Sequence, residues 1–335
     1  MIPRIAPFCQ TPSWQKQLNN AIRCPTELLR QLKLPDNLLA AAQESAKLFP
    51  LKVTHHYLTQ IEKGNVNDPL LRQILPLIDE QQPHPDYCTD PVGDLKATPV
   101  PGIIHKYRGR ALLMATPSCG IHCRYCFRRH FPYSTHKSSN NWRQAIEYIH
   151  KDPSIHEVIL SGGDPLSLSN NKLFRLMDLL EAIPHIKRIR IHTRYPIILP
   201  DRIDRELSDY LHQHHCKIVM VIHSNHPNEL DTHVGNALKL LNNNEITLLN
   251  QSVLLAGVND NVATLSELSE QLFMSNVLPY YLHQLDKVQG AQHFAVNDSR
   301  AKVLIKMLRK QLPGYLVPLL VRENSGEPSK QPIMG

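Results

Sequence analysis

The chain has 335 residues, 42% hydrophobic and 20% charged, with a net charge of +7 from 37 basic and 30 acidic side chains. That length suits one large α/β domain with an appendage. No apolar run reaches the roughly 18 residues of a helical membrane span. The positive balance lacks a long Lys/Arg block and any RNA-binding signature, so direct nucleic-acid binding is not expected.

The opening stretch MIPRIAPFCQTPSWQKQ holds no apolar core of about 7–15 residues, the mark of a secretory signal, and a cytoplasmic protein is expected. Residues 1–100 read as a helical, loop-rich region. LPDNLLAAAQESAKLF (34–49) has helical spacing with Asp36 or Asn37 as cap, and NDPLLRQILPLI (67–78) reads as a second helix. A proline-rich passage over 81–102 reads as an extended connection. From residue 111 the chain alternates. Strands are predicted at 111–115, 157–162, 186–193, 217–224, 245–253 and 278–284, with helical patterns at 140–151, 169–183, 201–213, 228–243, 261–273 and 297–312. Six β/α units imply an α/β fold, a partial (β/α)6 barrel over 101–312, followed by a short C-terminal segment over 313–335.

Seven cysteines in a reducing compartment are thiols, not a disulfide framework. Cys9, Cys24, Cys88 and Cys216 are scattered and read as buried or inert. The other three crowd into CGIHCRYCF (119–127) as Cys119-x3-Cys123-x2-Cys126, just after the first predicted parallel strand. In barrel folds that end of the strand carries the chemistry. Three readings compete. Structural zinc takes four ligands, and although His122 and His130 are near, His122 is wedged between two cysteines and no second cysteine pair exists. Three unrelated thiols would need chance crowding. A [4Fe–4S] cluster takes one thiolate per iron, so three cysteines would leave one iron open to chelate an amino and a carboxylate group. Farther on, LSGGDPL (160–166) ends the second strand with Ser161, Gly162, Gly163 and Asp164. Glycines there allow a ligand close to the backbone, and a plain strand-to-helix turn reads the same way.

The cysteine spacing, with Tyr125 just before the last cysteine, resembles the radical S-adenosylmethionine (SAM) enzymes. The resemblance implies that SAM fills the open iron position, is cleaved to a carbon radical, and is contacted by Ser161, Gly162, Gly163 and Asp164. CRYCFRRHF, SGGDPL, SNHPNE, LNQSVLLAGVND and PYYLHQLD together resemble the lysine 2,3-aminomutase family, as do PVGDLKATPVPGIIHKY and WQKQLNNAI. The likeness is to the compact branch that supplies β-lysine for modifying translation elongation factor P.

This resemblance implies an isomerase converting (S)-α-lysine to (R)-β-lysine with pyridoxal 5′-phosphate (PLP) as a further cofactor and an external electron donor. Lys330, in ENSGEPSKQP, matches the lysine that forms the Schiff base with PLP, although Glu327, Pro328 and Ser329 replace most of the family's glycine run. Arg110 and Lys106 match phosphate-binding positions, Lys106 standing where arginine is usual. Asn250 and Gln251 are placed as polar contacts to PLP. Arg128 matches the carboxylate-binding arginine. Asp286 and Glu323 match the pair that holds the substrate ε-ammonium, glutamate replacing the usual aspartate. His192, Arg194, His223, Asn225 and His226 lie at strand ends where they could line the SAM site. The alternatives are an aminomutase of another amino acid, a sulfur-inserting enzyme, and a zinc- or cluster-stabilised nucleic-acid-binding protein. The Asp286/Glu323 pair disfavours an anionic substrate side chain, and the scattered cysteines offer no second cluster.

Overall fold

The computed structural model of the chain describes residues 14–136, 142–242 and 245–334; Cys9 lies outside them. Nine strands form one sheet in sequential order. They are β1 (Ile103–Tyr107), β2 (Arg110–Thr116), β3 (Glu157–Gly162), β4 (Arg188–Thr193), β5 (Lys217–His223), β6 (Ile246–Leu254), β7 (Leu278–Gln284), β8 (Leu319–Arg322) and β9 (Gln331–Pro332). β2 to β8 run parallel, and β1 and β9 are antiparallel edges. Helices Arg143–Lys151, Asn170–Glu181, Arg205–Gln213, Thr232–Leu241, Val262–Met274 and Asp298–Gln311 fill the six connections between parallel strands. The six expected β/α units are therefore present as a partial barrel.

Period-2 patterning explains the layers. Along β4, Ile189, Ile191 and Thr193 are buried, while Arg188, Arg190 and His192 alternate with them on the inner, polar face. Three strands escaped the sequence pattern. β8 is only LLVR, β9 only two residues, and β1 follows directly on the proline-rich connection. The strands at the two ends of the sheet still meet through side chains, because Lys106 of β1 donates to Glu323, just beyond β8, at 2.8 Å.

The N-terminal region departs from expectation in detail. Over 34–49 a 3-10 turn (Asp36–Leu38) leads into the helix Leu39–Leu48, and no side chain caps it; Asp36 sits inside the turn. The expected helix over 67–78 is one turn, Pro69–Arg72, capped by Asp68, whose carboxylate accepts from Leu70 and Leu71 N–H. Pro76 cannot donate a helical bond, so the turn is not continued. Leu28, Leu32, Tyr57, Leu71 and Ile74 share one continuous core with Leu160, Ile191 and Ile198 of the barrel.

Glu80 joins the two regions electrostatically. Its fully buried carboxylate accepts from Arg124 Nε and Nη2 at 2.8 and 2.5 Å and from Arg129 Nη2 at 2.5 Å. Removing it strands two buried guanidinium groups. Glu80→Ala is therefore expected to destabilise the protein by about 3–5 kcal/mol, measured as a lower denaturant midpoint at unchanged slope.

Candidate active site

The cysteine loop has no regular structure, so side chains from elsewhere must fix it. Lys52 Nζ donates to the Cys119 carbonyl at 2.6 Å. Main-chain N–H groups of His122 and Arg124 donate to Lys52 and Gln73 carbonyls, both at 2.9 Å. His122 Nδ1 reaches the Pro50 carbonyl at 2.8 Å and its ring stacks on Phe49. His122 is thus engaged by the N-terminal region, away from the thiols. His130 Nε2 pairs with the Gln289 carbonyl at 3.0 Å. Enclosure, and then the neighbouring thiols, push Cys119 well above the usual thiol range, and enclosure and Cys123 push Cys126 up to about 11.

Among the described residues, the one trio of ligand atoms that all lie within 4.8 Å of one another is Glu181, His214 and Cys216. The three loop sulfurs are spread more widely. Ligands on a single tetrahedral zinc would stand roughly 3.8 Å apart. The donor set therefore fits a multi-iron cluster better than one zinc ion.

Arg194, at the end of β4, is the hub beneath the loop. Nη1 donates to Cys123 Sγ at 2.7 Å and Tyr125 Oη at 2.8 Å. Nη2 donates to Gln73 Oε1 at 2.7 Å and Glu229 Oε1 at 2.6 Å. Asn225 Nδ2 binds the same Gln73 and Tyr125 oxygens at 2.9 and 2.7 Å. His223 pairs with Tyr125 Oη at 3.1 Å, and enclosure and Arg194 lower its pKa to about 3, so it is a neutral imidazole. His226 caps the short turn Pro227–Glu229 and holds that loop rather than facing the thiols. Sequence reasoning missed Gln73, which carries no motif, and Glu229, which ends the SNHPNE stretch but was given no role.

The SGGD segment abuts the loop. Gly163 N–H donates to the Thr116 carbonyl at 2.7 Å and Asp164 N–H to the Ser118 carbonyl at 2.8 Å. A Cβ on Gly163 would lie 2.7 Å from the Pro117 carbonyl carbon and closer still to the Ser118 oxygen. Gly162 has φ +103°, a conformation that favours glycine. Gly163 is thus demanded by packing against the backbone that leads into the cysteine loop, and Gly162 by its own conformation and its closeness to Met114 and Thr116 of β2. The Asp164 carboxylate accepts from Thr193 Oγ1 at 2.7 Å, Arg194 N–H at 2.6 Å and Leu166 N–H at 3.0 Å. Enclosure raises it to about 6 against those hydrogen bonds. Ser161 Oγ lies 3.4 Å from Arg128 Nη1.

A second assembly gathers most of the remaining predicted residues. Asp94, 2% exposed, holds Lys106 Nζ at 2.5 Å and Arg128 Nε at 2.7 Å. Lys106 also donates to Glu323 Oε1 at 2.8 Å, and Glu323 Oε2 accepts from Lys330 Nζ at 2.5 Å. Burial acts to raise the Glu323 carboxyl, but Lys330 and Lys106 outweigh it and hold it well below the carboxylate range. Enclosure, and then repulsion from Glu323, push Asp286 up to about 7, although Lys330 and Lys106 draw it down. Enclosure, joined by Arg190 and then Lys330 at His192 and by Lys330 at His283, keeps both rings neutral. Three cations (Lys106, Arg128, Lys330) thus face three acidic groups (Asp94, Asp286, Glu323). Asp94 was given no role, although it lies in the PVGDLKATPVPGIIHKY stretch that carries the resemblance, because its role arises only when the proline-rich connection closes over the C-terminal segment. There Val92 carbonyl accepts from Lys106, and Gly93, with φ +70°, packs on Ser325.

The remaining phosphate-contact predictions separate. Arg110, at the start of β2, lies over the Tyr107 ring at 4.6 Å, a hairpin turn from Lys106. Asn250 and Gln251 are adjacent in the middle of β6, not at its end, so they face opposite sides of the sheet. Asn250 points to the helix layer beside Leu265 and Leu268, and its amide is spent on Ser224 and Ser252. The structure does not bring it to the inner face, where Gln251 lies. Of the cysteines expected to be inert, Cys24 and Cys88 are exposed and Cys216 is buried.

Residues 113–229, from β2 to the turn after β5, match the sequence profile of the Radical SAM superfamily. The chain is 47% identical to L-lysine 2,3-aminomutase of Escherichia coli over 328 residues, covering 96% of each chain. It is 45% identical to the Haemophilus influenzae protein of the same name, covering 98% of each. It is 36% identical to that of Clostridium subterminale, covering 96% of this chain and 77% of the relative. The chain belongs to the L-lysine 2,3-aminomutase family of radical SAM enzymes.

The Gly163 contact generates a test. Gly163→Ala is expected to cost about 1–3 kcal/mol of stability through overpacking and to lower the iron retained per chain. Thermal unfolding and iron analysis of reconstituted protein check both.

Proposed function

We propose that the protein converts L-lysine to β-lysine by moving the amino group from C2 to C3. The observation that carries this reading is the buried charge set around Lys330. It offers two acidic groups, Asp286 and Glu323, for a distal ammonium and one arginine, Arg128, for a carboxylate. A substrate lacking the distal amine would leave carboxylates enclosed without a partner, which is a strong basis for selection.

The roles divide as follows. Cys119, Cys123 and Cys126 hold a [4Fe–4S] cluster, and Ser161, Gly162, Gly163 and Asp164 shape the adjoining SAM site. Lys330 is the attachment point for PLP, with Arg110, Lys106 and Gln251 as cofactor contacts. When bound, these groups supply a carbon radical and an aldehyde able to carry the migrating nitrogen. Asp94 clamps the Nε edge of Arg128, which leaves the Nη2 edge to take the substrate carboxylate in a fork. Lys330 must give up a proton to react, and Asp286, with a pKa of about 7, is suited to accept it near neutral pH. Engaging Lys330 also frees Glu323 for the substrate ε-ammonium, the same chemical group it now holds.

The resemblance to the compact branch supports elongation factor P as the destination of the β-lysine. Under this reading, cells lacking the protein contain elongation factor P without the β-lysyl mass increment, measured on the purified factor. No helix among the described residues is long and apolar enough to cross a membrane.

Anaerobically reconstituted protein with PLP, SAM, a reductant and L-lysine is expected to form β-lysine, detected by mass spectrometry. Cys126→Ala should lose both SAM cleavage and product. Lys330→Ala should lose product while keeping cluster absorption and SAM binding. SAM cleavage by wild type without β-lysine would overturn the substrate assignment.

The Asp286 shift sets the pH dependence. Below about 7 the free enzyme carries a protonated, neutral Asp286, and above it an anion. For lysine, kcat/KM is therefore expected to fall as pH drops through that value, by about tenfold per unit well below it. Asp286→Asn should remove this acidic limb and lower kcat/KM above a pH of about 7, with the difference from wild type shrinking as pH falls.

A further inference from the structure

We propose that Glu181, His214 and Cys216 form a second metal site, for one zinc-type divalent cation, at the end of the barrel opposite the cysteine loop. The three residues close the helix Asn170–Glu181, follow the helix Arg205–Gln213 and precede β5. They therefore sit at the N-terminal ends of the strands, away from the chemistry.

Each of the three offers one ligand atom, and these atoms all lie within 4.8 Å of one another. An imidazole, a thiolate and a carboxylate, with water as the fourth ligand, make a tetrahedral zinc set, whereas magnesium and calcium avoid the sulfur. The independent observation is the histidine. Its side chain is 1% exposed, yet neither ring nitrogen meets hydrogen-bond geometry. Nδ1 lies 3.1 Å from Glu181 Oε1, off the angle of a hydrogen bond. The ring's nearby polar groups include the Cys216 main chain, Asp178 and His215. A buried imidazole normally pairs both nitrogens, and here Nδ1 stands beside a prospective fellow ligand, Glu181 Oε1, without bonding it.

The surroundings hold the ligands in place. Glu181 Oε1 accepts from His215 N–H at 2.7 Å and Cys216 N–H at 3.2 Å, the kind of outer contact that orients a metal carboxylate. The Tyr210 ring meets the His214 ring edge-on at 5.7 Å and is itself stacked on Phe174. A cation here would tie the end of one helix to the turn that leads from the next helix into β5.

The test uses the holoenzyme, with iron already on the loop cysteines, desalted and titrated with zinc chloride. Zinc retained after gel filtration is measured per chain, together with Tm. One zinc per chain and a zinc-dependent rise in Tm are expected. His214→Gln and Glu181→Gln should each weaken retention by more than about tenfold, the loss that even an outer-shell change causes, and abolish the Tm rise. Both should keep aminomutase activity and an unaltered circular dichroism spectrum. Wild type that retains no more zinc than His214→Gln, or retention by both variants equal to wild type, overturns the proposal.

Discussion

Everything at the site depends on one buried guanidinium. Arg194 touches Cys123, Tyr125, Gln73 and Glu229 at hydrogen-bond distance. It therefore joins the cysteine loop, the N-terminal helices and the turn after β5 in a single polar knot. A loop that must present three thiols cannot be stabilised by strand or helix bonds, since its backbone has to curl around the metal. Arg194 and the buried Glu80–Arg124–Arg129 group replace that missing regularity with fixed side-chain geometry. Such networks are costly when half satisfied and rigid when complete. Here they make the cluster loop and the N-terminal region one mechanical unit.

The second constraint is charge balance. Lys106, Arg128 and Lys330 lie among Asp94, Glu323 and Asp286 in a space largely closed to water. Isolated, any of these charges would be expensive to bury. Asp94 and Glu323 are offset by direct ion pairs, whereas enclosure, and then repulsion from Glu323, dominate at Asp286. That is why its carboxyl, alone of the three, is shifted toward neutrality.

Much of this was legible in sequence. The six parallel strands of the β/α units follow from period-2 apolar runs separated by helical spacing, and the cysteine loop follows from its own spacing. What failed to show were features made only in three dimensions. β8 is four residues long, too short for a pattern. Asp94 and Glu229 lie in stretches that carry the resemblance, but their roles, like that of Gln73, depend on partners far away in the chain. Asn250 was legible as a polar residue in a strand, but which face it took depended on register. Gly162 and Gly163 were legible as glycines, yet their necessity comes from a left-handed backbone beside β2 and from the segment leading into the cysteine loop. Cys216 reads as buried or inert in the sequence, and it is buried; the ligands proposed to join it lie on other elements.

The contact between Lys330 and Glu323 has a further consequence. An amine tethered only seven residues from its carboxylate stands at an effective concentration in the millimolar range. Any free amine that approaches Glu323 must first displace this resident one. The protein thus carries its own competitor, and the competitor withdraws only when Lys330 finds another use for its nitrogen. Under the proposed roles, loading becomes ordered: the pocket for a terminal amine opens fully after the lysine at its edge has been committed elsewhere.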